Sequence, residues 1–217
     1  MNEIVFPAAI LSEPFFYAPT SDLPLGQAAM SFGGIGAVIA HEISHGYDDQ
    51  GNCRDYIILR LGRQFNAEGN LEDWWLEQDG KNFDARAEKI IAQFSKYQLL
   101  GKNVNGKLTQ GENIADLGGL SISYAAFQNF MKEKGRDQLP ANHNFTQEQQ
   151  FFISWAQIWR GVMRDDLVLQ RLITDPHSPN EFRVTGPLAN LPEFHQAFNV
   201  KPGDKMYAPE EERVSIW

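Results

Sequence analysis

The stretch Gly33-Gly34-Ile35-Gly36-Ala37-Val38-Ile39-Ala40-His41-Glu42-Ile43-Ser44-His45 decides how the chain is read. Its last five residues set two histidines four apart around a glutamate. On a helix that spacing puts both imidazoles on one face, one turn apart. Neutral imidazoles suit zinc, and zinc lowers the pKa of a water it holds towards ~7. Glu42 sits beside the pair but is angled away from ligation, so it can accept that water's proton. The pattern predicts a helix over 37–47, with Gly33, Gly34 and Gly36 leading into it.

A bland reading competes with this one: a surface helix carrying two solvated histidines. The chain holds five histidines, and two of them fall at ligand spacing. Ile35, Val38 and Ile39 predict a buried helix, where imidazoles and a carboxylate without partners would be costly. The metal reading is therefore preferred.

Zinc needs three protein ligands and an open fourth position. The best third candidate is Glu112, in Gly111-Glu112-Asn113-Ile114-Ala115-Asp116. Glu112 and Asp116 lie four apart and share a helix face. One can bind metal while the other fixes the tautomer of a ligand histidine. Thr109-x-x-Glu112 also matches a capping box, in which Glu112 merely caps its own helix. Spacing leaves both readings of Glu112 open.

The rest of the chain frames this site. It has 217 residues, 42% of them apolar, which is a globular composition with room for a real core. A formal net charge of −9 argues against nucleic-acid binding and leaves peptide substrates open. The single cysteine, Cys53, excludes an intrachain disulfide. Residues 1–11 lack a basic start and carry Glu3 and Pro7, unlike a signal peptide. No apolar run reaches membrane-spanning length. These features together predict a cytoplasmic chain.

Along the sequence, 4–11 reads as an edge strand broken by Pro7. Pro14, Pro19 and Pro24 mark a loop. Turns are expected at 48–51 and 66–70, and 55–61 fits either a strand or a short helix. Helices are predicted over 71–100, with Gly80 as a break, then from Thr109 to Lys134 closed by Gly135, over 146–164 and over 166–173. From Asp175 the chain reads as prolyl loop with a short helix at 193–198.

Several strings now converge on one family. They are Asn2-Glu3-Ile4-Val5-Phe6-Pro7-Ala8, Gly33 to Gly36, His41-Glu42-Ile43-Ser44-His45-Gly46-Tyr47-Asp48-Asp49, Glu112-Asn113-Ile114-Ala115-Asp116-Leu117-Gly118-Gly119, Asp175-Pro176-His177-Ser178-Pro179, Phe182 to Pro187, and the closing Trp217. In this order they resemble the neprilysin family of zinc endopeptidases nearly end to end. The absence of that family's extracellular cysteines makes the chain similar to the bacterial oligopeptidase O branch.

The resemblance implies a mainly α fold with a small β component, a thermolysin-like zincin catalytic subdomain. It implies one Zn2+ per chain, held by His41, His45 and Glu112, with Glu42 as general base. Asp116 would orient a ligand histidine, His41 first. His177 would stabilise the oxyanion and Arg183 would bind a substrate carbonyl. Ile10, Phe15, Val38, Ile158 and Trp159 would line a pocket for a bulky apolar residue just after the scissile bond. Without the resemblance, loop charges at His177 and Arg183 and core packing for the pocket set are the simpler readings.

The sequence departs from the family in two ways. Family members are much longer, with a helical region upstream that roofs the site and an Asn-Ala-aromatic stretch that grips substrate. Residues 1–217 therefore read as the catalytic domain alone, with that N-terminal region as a candidate partner. Residues 52–62 read as an insertion after the Asp-Asp turn. The implied activity is hydrolysis of short peptides; the competing reading is a non-catalytic zinc-binding remnant acting through contacts with another chain.

Overall fold

A computed structural model describes residues 4–21, 27–48, 66, 68–135 and 145–216. Among them the chain is mainly helical. Its eight α-helices are α1 (Ala28–Ser31), α2 (Ala37–Ser44), α3 (Glu77–Phe94), α4 (Gln110–Lys134), α5 (Gln147–Ile158), α6 (Asp165–Thr174), α7 (Asn180–Leu188) and α8 (Pro192–Phe198). The sheet is one hairpin, β1 (Gln98–Leu99) against β2 (Lys102–Asn103).

The metal helix begins earlier than its glycines suggest. A π-helical turn over Phe32–Gly36 joins α1 to α2, so one helical run extends from Ala28 into a 3₁₀ turn at His45–Tyr47. Glycine disfavours helices, hence the expectation of a loop here. Tertiary contact reverses that preference. A Cβ on Gly33 would meet the Phe151 carbonyl oxygen at 2.0 Å, so only glycine lets α5 approach so closely. The π turn also redirects the Ile35 N–H, which donates to the Phe15 carbonyl at 2.8 Å. On the other side, Ser154 Oγ donates to the Met30 carbonyl and Ser123 Oγ to the Phe32 carbonyl, each at 2.7 Å.

The long helix α4 is the spine, with α2, α3 and α7 packed along it. Its predicted ends hold: Thr109 precedes it, and Gly135 follows with φ 85°. The core runs from Ile90 and Phe94 of α3 through Ile114, Leu120 and Phe127 of α4 to Phe151 and Trp155 of α5, all fully buried. Phe127 stacks on Phe151, and Tyr124 stacks on Phe152, which meets Phe194 of α8 edge-on. The C-terminal tail is tied down where the Val214 N–H donates to Asn190 Oδ1 at 2.9 Å and Arg86 donates to the Ile216 carbonyl.

Other expectations need correction. Residues 4–11 form no strand beyond a single bridge at Ile4; Pro7 opens a 3₁₀ turn over Ala8–Ile10. Gly80 does not break α3, being buried inside it. The helix predicted to reach residue 100 stops at Phe94, and Leu100 (φ 51°) and Gly101 (φ 74°) form a two-residue hairpin turn. The helix predicted over 146–164 ends at Ile158, after a capping box made by Thr146 and Gln149. Helix α7 went unread because Pro179 and Pro187 suggested loop; Pro179 instead caps it and Pro187 lies in its last turn. Ile39 is exposed, so the metal helix is buried on its histidine face only. Cys53, the turn at 48–51 past Asp48, and the 52–62 stretch with its strand-or-helix segment lie outside the described residues.

Candidate metal centre

The site forms where α2 crosses α4. A Cβ on Gly119 would sit 2.7 Å from the His41 nitrogen and 2.8 Å from the Ala37 carbonyl oxygen, so these helices touch backbone to backbone. Glu112 and Asp116 lie on the turns of α4 before that contact, and both are buried against the histidine face of α2.

Four side-chain atoms converge there. His41 Nε2 and His45 Nε2 are 2.9 Å apart. Glu112 Oε2 lies 3.2 Å from the first, 3.4 Å from the second and 3.3 Å from His177 Nε2. The capping alternative for Glu112 finds no support, since Thr109 makes no side-chain cap. The carboxylate of Glu112 faces the histidines. A Glu42 oxygen also lies within 4.8 Å of the ring nitrogens of His41 and His45.

Second carboxylates hold the far side of each ring. Asp116 Oδ1 lies 2.8 Å from His41 Nδ1. Asp48 Oδ2 lies 2.9 Å from His45 Nδ1. His45 Nδ1 is hydrogen-bonded to Asp48, and His41 Nδ1 lies against Asp116, while the two Nε2 atoms face one another at 2.9 Å. With the proton of each neutral ring on Nδ1, the two Nε2 lone pairs would repel at that range unless a cation lay between them. Zinc bonds of about 2.0–2.1 Å in a tetrahedral site put ligand atoms about 3.3 Å apart. The spacings among His41, His45 and Glu112 lie around that value, so these donors fit a zinc ion.

Burial and facing charges oppose one another inside the cluster. Burial pushes the Glu112 carboxyl up, but the His177, His41 and His45 rings that face it hold it well below its usual range. Burial likewise opposes ionisation of Asp116, and Arg183 outweighs it, so that carboxyl is lowered too. Burial lowers His41 and His177, while the facing carboxylates bring both above the ordinary histidine value.

Arg183 projects from α7 and is buried, not the surface charge that a loop reading suggested. Its Nε and Nη2 donate to the two oxygens of Asp116 at 2.8 and 2.7 Å. That forked pair leads from Arg183 through Asp116 to His41. The Trp159 ring lies under the guanidinium, 3.8 Å from its carbon, so this predicted pocket residue is also a platform for Arg183. His177 lies on the loop before α7, its side chain 30% exposed. Asp175 Oδ1 accepts from both the backbone N–H of His177, at 2.9 Å, and its Nδ1, at 2.8 Å.

A cleft of about 830 Å³ opens beside His177 and Arg183 and is also lined by Trp159, Met163 and Leu167. Of the five pocket residues implied by resemblance, Trp159 lines this cleft. Ile10, Phe15, Val38 and Ile158 do not. Val38 and Ile158 pack instead on the hydrophobic core.

Sequence reasoning missed Asp48 and Asp175 as partners of His45 and His177. An acidic residue three after His45 was the available signal for Asp48. For Asp175 the signal was an Asp two before a histidine, the spacing of a side-chain turn.

A helix crossing that gathers two imidazoles, a carboxylate and an adjacent glutamate defines the zinc-peptidase class. The sequence profile described as Peptidase family M13 matches residues 1–214, and the chain belongs to that family. It is 41% identical over 216 residues to human endothelin-converting enzyme 1 and 38% identical over 219 residues to human neprilysin. All of the chain is covered in both, but only 26% and 27% of those proteins. The chain thus spans about a quarter of the curated relatives it matches. Among solved structures, the Mycobacterium tuberculosis zinc metalloprotease Zmp1 in complex with inhibitor superposes with a TM-score of 0.85 and 42% identity, over 100% of this chain and 31% of that one. PepO from Lactobacillus rhamnosis gives a TM-score of 0.78 and 34% identity, over 98% of this chain and 29% of that one.

The comparison overturns the cytoplasmic expectation. Endothelin-converting enzyme 1 and neprilysin are membrane-anchored ectoenzymes. A lone cysteine and a short N-terminal stretch are features of the matched quarter, and they do not address a protein. Among the described residues no helix is long and apolar enough to cross a membrane.

Proposed function

We propose that the chain carries the catalytic site of a zinc metalloendopeptidase that hydrolyses short peptides, with one zinc ion per chain held by His41, His45 and Glu112. The observation that carries this reading is the facing pair of imidazole nitrogens, 2.9 Å apart, with Glu112 Oε2 within 3.4 Å of each.

When bound, zinc supplies Lewis acidity and eases deprotonation of water near neutral pH. Glu42 takes the proton from the attacking water as its oxygen bonds to the scissile carbonyl carbon. Negative charge then develops on the carbonyl oxygen. His177 Nε2 donates to that oxyanion, and such donation is commonly the largest single catalytic contribution. Arg183 spends Nε and Nη2 on Asp116 and offers Nη1 to a substrate carbonyl. Glu42 finally delivers its proton to the amine as the carbon–nitrogen bond breaks. Asp116 and Asp48 keep the ligand histidines in one tautomer throughout.

The preferred cleavage lies before bulky apolar residues; the resemblance assigns their pocket to Ile10, Phe15, Val38, Ile158 and Trp159, of which Trp159 lines the cleft beside His177. The resemblance supports this, and Trp159 is the member that touches the site. The test is turnover of quenched-fluorescence peptides varied at the residue after the scissile bond, with zinc measured on the same protein. Chelator-sensitive cleavage before Phe or Leu is expected. Stoichiometric zinc without cleavage of any peptide overturns the reading.

A further inference from the structure

The oxyanion donor, His177, sits on a loop between α6 and α7, whereas Glu112 sits on α4. Something must set the distance between them. Asp175 fixes the rotation of the His177 ring, but it belongs to the same loop and moves with it. The tie to α4 runs through the next residue. Ser178 Oγ, 3% exposed, donates to Asn113 Oδ1 at 2.7 Å. Asn113 is 1% exposed, and its Nδ2 donates to Thr109 Oγ1 at 2.9 Å. The Thr109 hydroxyl donates onward to the Asn105 carbonyl at 3.2 Å.

The Asn113 amide turns its oxygen towards Ser178 and its nitrogen towards Thr109. The single Thr109 hydroxyl proton goes to the Asn105 carbonyl, so a flipped amide would have to take that proton for its own oxygen. The neighbours also matter: Ser178 follows His177, and Asn113 follows Glu112. One buried hydrogen bond therefore joins the residues adjacent to the oxyanion donor and to the carboxylate ligand. We propose that Ser178, Asn113 and Thr109 form a positioning relay that sets the reach of His177 Nε2 over the reacting carbonyl. The proposal rests on the peptidase reading of the site.

The test compares two inhibitor types on zinc-loaded protein. A phosphonate peptide presents tetrahedral anionic oxygens where the oxyanion develops; a thiol peptide ligates metal without them. Ser178→Ala is expected to weaken phosphonate binding about ten- to a hundred-fold and to lower kcat in parallel. KM, thiol-peptide affinity and zinc content stay near wild type, the melting midpoint falls because Asn113 Oδ1 is left buried without its donor, and Ser178→Thr restores phosphonate binding. If Ser178→Ala does not fold, Thr109→Val is measured and shows the same split between inhibitors. Unchanged phosphonate affinity in the folded variant, or equal loss for both inhibitors, overturns the relay and leaves the peptidase reading standing. Wild-type protein that binds neither inhibitor overturns both.

Discussion

Gly119 of α4 lies against the backbone of His41, with room for no Cβ between them. The facing of Glu112 and Asp116 onto the histidines of α2 across this crossing depends on that closeness. Both contacting groups are backbone and cannot swing aside as a side chain could.

Gly119→Ala is therefore expected to push α2 away from α4. Overpacking of this kind costs about 1–3 kcal/mol. Glu112 would recede from both imidazoles, so metal affinity should fall together with stability. Chemical denaturation and chelator competition on one preparation check this. Loss of stability with unchanged zinc affinity would show that the crossing does not set the ligand distances.

Glu42→Gln and Glu112→Ala should separate base from ligand. The first is expected to keep its zinc and lose hydrolysis by at least about 100-fold, the scale of general-base catalysis. The second should lose its zinc. The two measurements are kcat with a peptide substrate and metal content after desalting.

Asp116→Asn and Asp48→Asn each remove a carboxylate from the far side of a ligand imidazole. Each is expected to weaken zinc binding by about 10–100-fold. The Asp116 variant should also lose stability. It leaves the buried Arg183 guanidinium without its carboxylate partner. A melting midpoint equal to that of wild type for Asp116→Asn would contradict this.

Acid stability should depend on a histidine far from the metal. His195 Nε2 bonds the Ala189 carbonyl at 2.9 Å, and Arg213 Nη2 approaches Nδ1 at 3.0 Å. That arrangement suits a neutral ring. Burial, aided by Arg213, depresses its pKa below 6.5. Its contribution to stability is thus complete above the unfolded value and is lost as pH falls through the lower folded value. Melting midpoints of wild type and His195→Gln, compared between pH 7.5 and 5, should show a smaller acid loss in the variant.

How legible was this molecule? Spacing within one helix could be read directly. His41, Glu42 and His45 share a turn wherever that helix goes, and Glu112 shares a face with Asp116 for the same reason. Thr109 and Gly135 marked the ends of α4 because end effects are local. The helices predicted over 71–100, from Thr109 to Lys134 and over 146–164 were likewise sufficient for a mainly helical class.

Relations between separate elements were not legible. The glycines at 33 and 34 read as loop until the carbonyls of Phe151 and Phe15 came against them. Pro179 and Pro187 concealed the helix that delivers Arg183 to Asp116. Glu112 had two local readings, cap or ligand, and the approach of α2 at Gly119 turned it towards the histidines. The reason is physical. Helical periodicity is set by backbone geometry over a few residues, whereas the distance between two helices depends on which side chains are absent at their crossing.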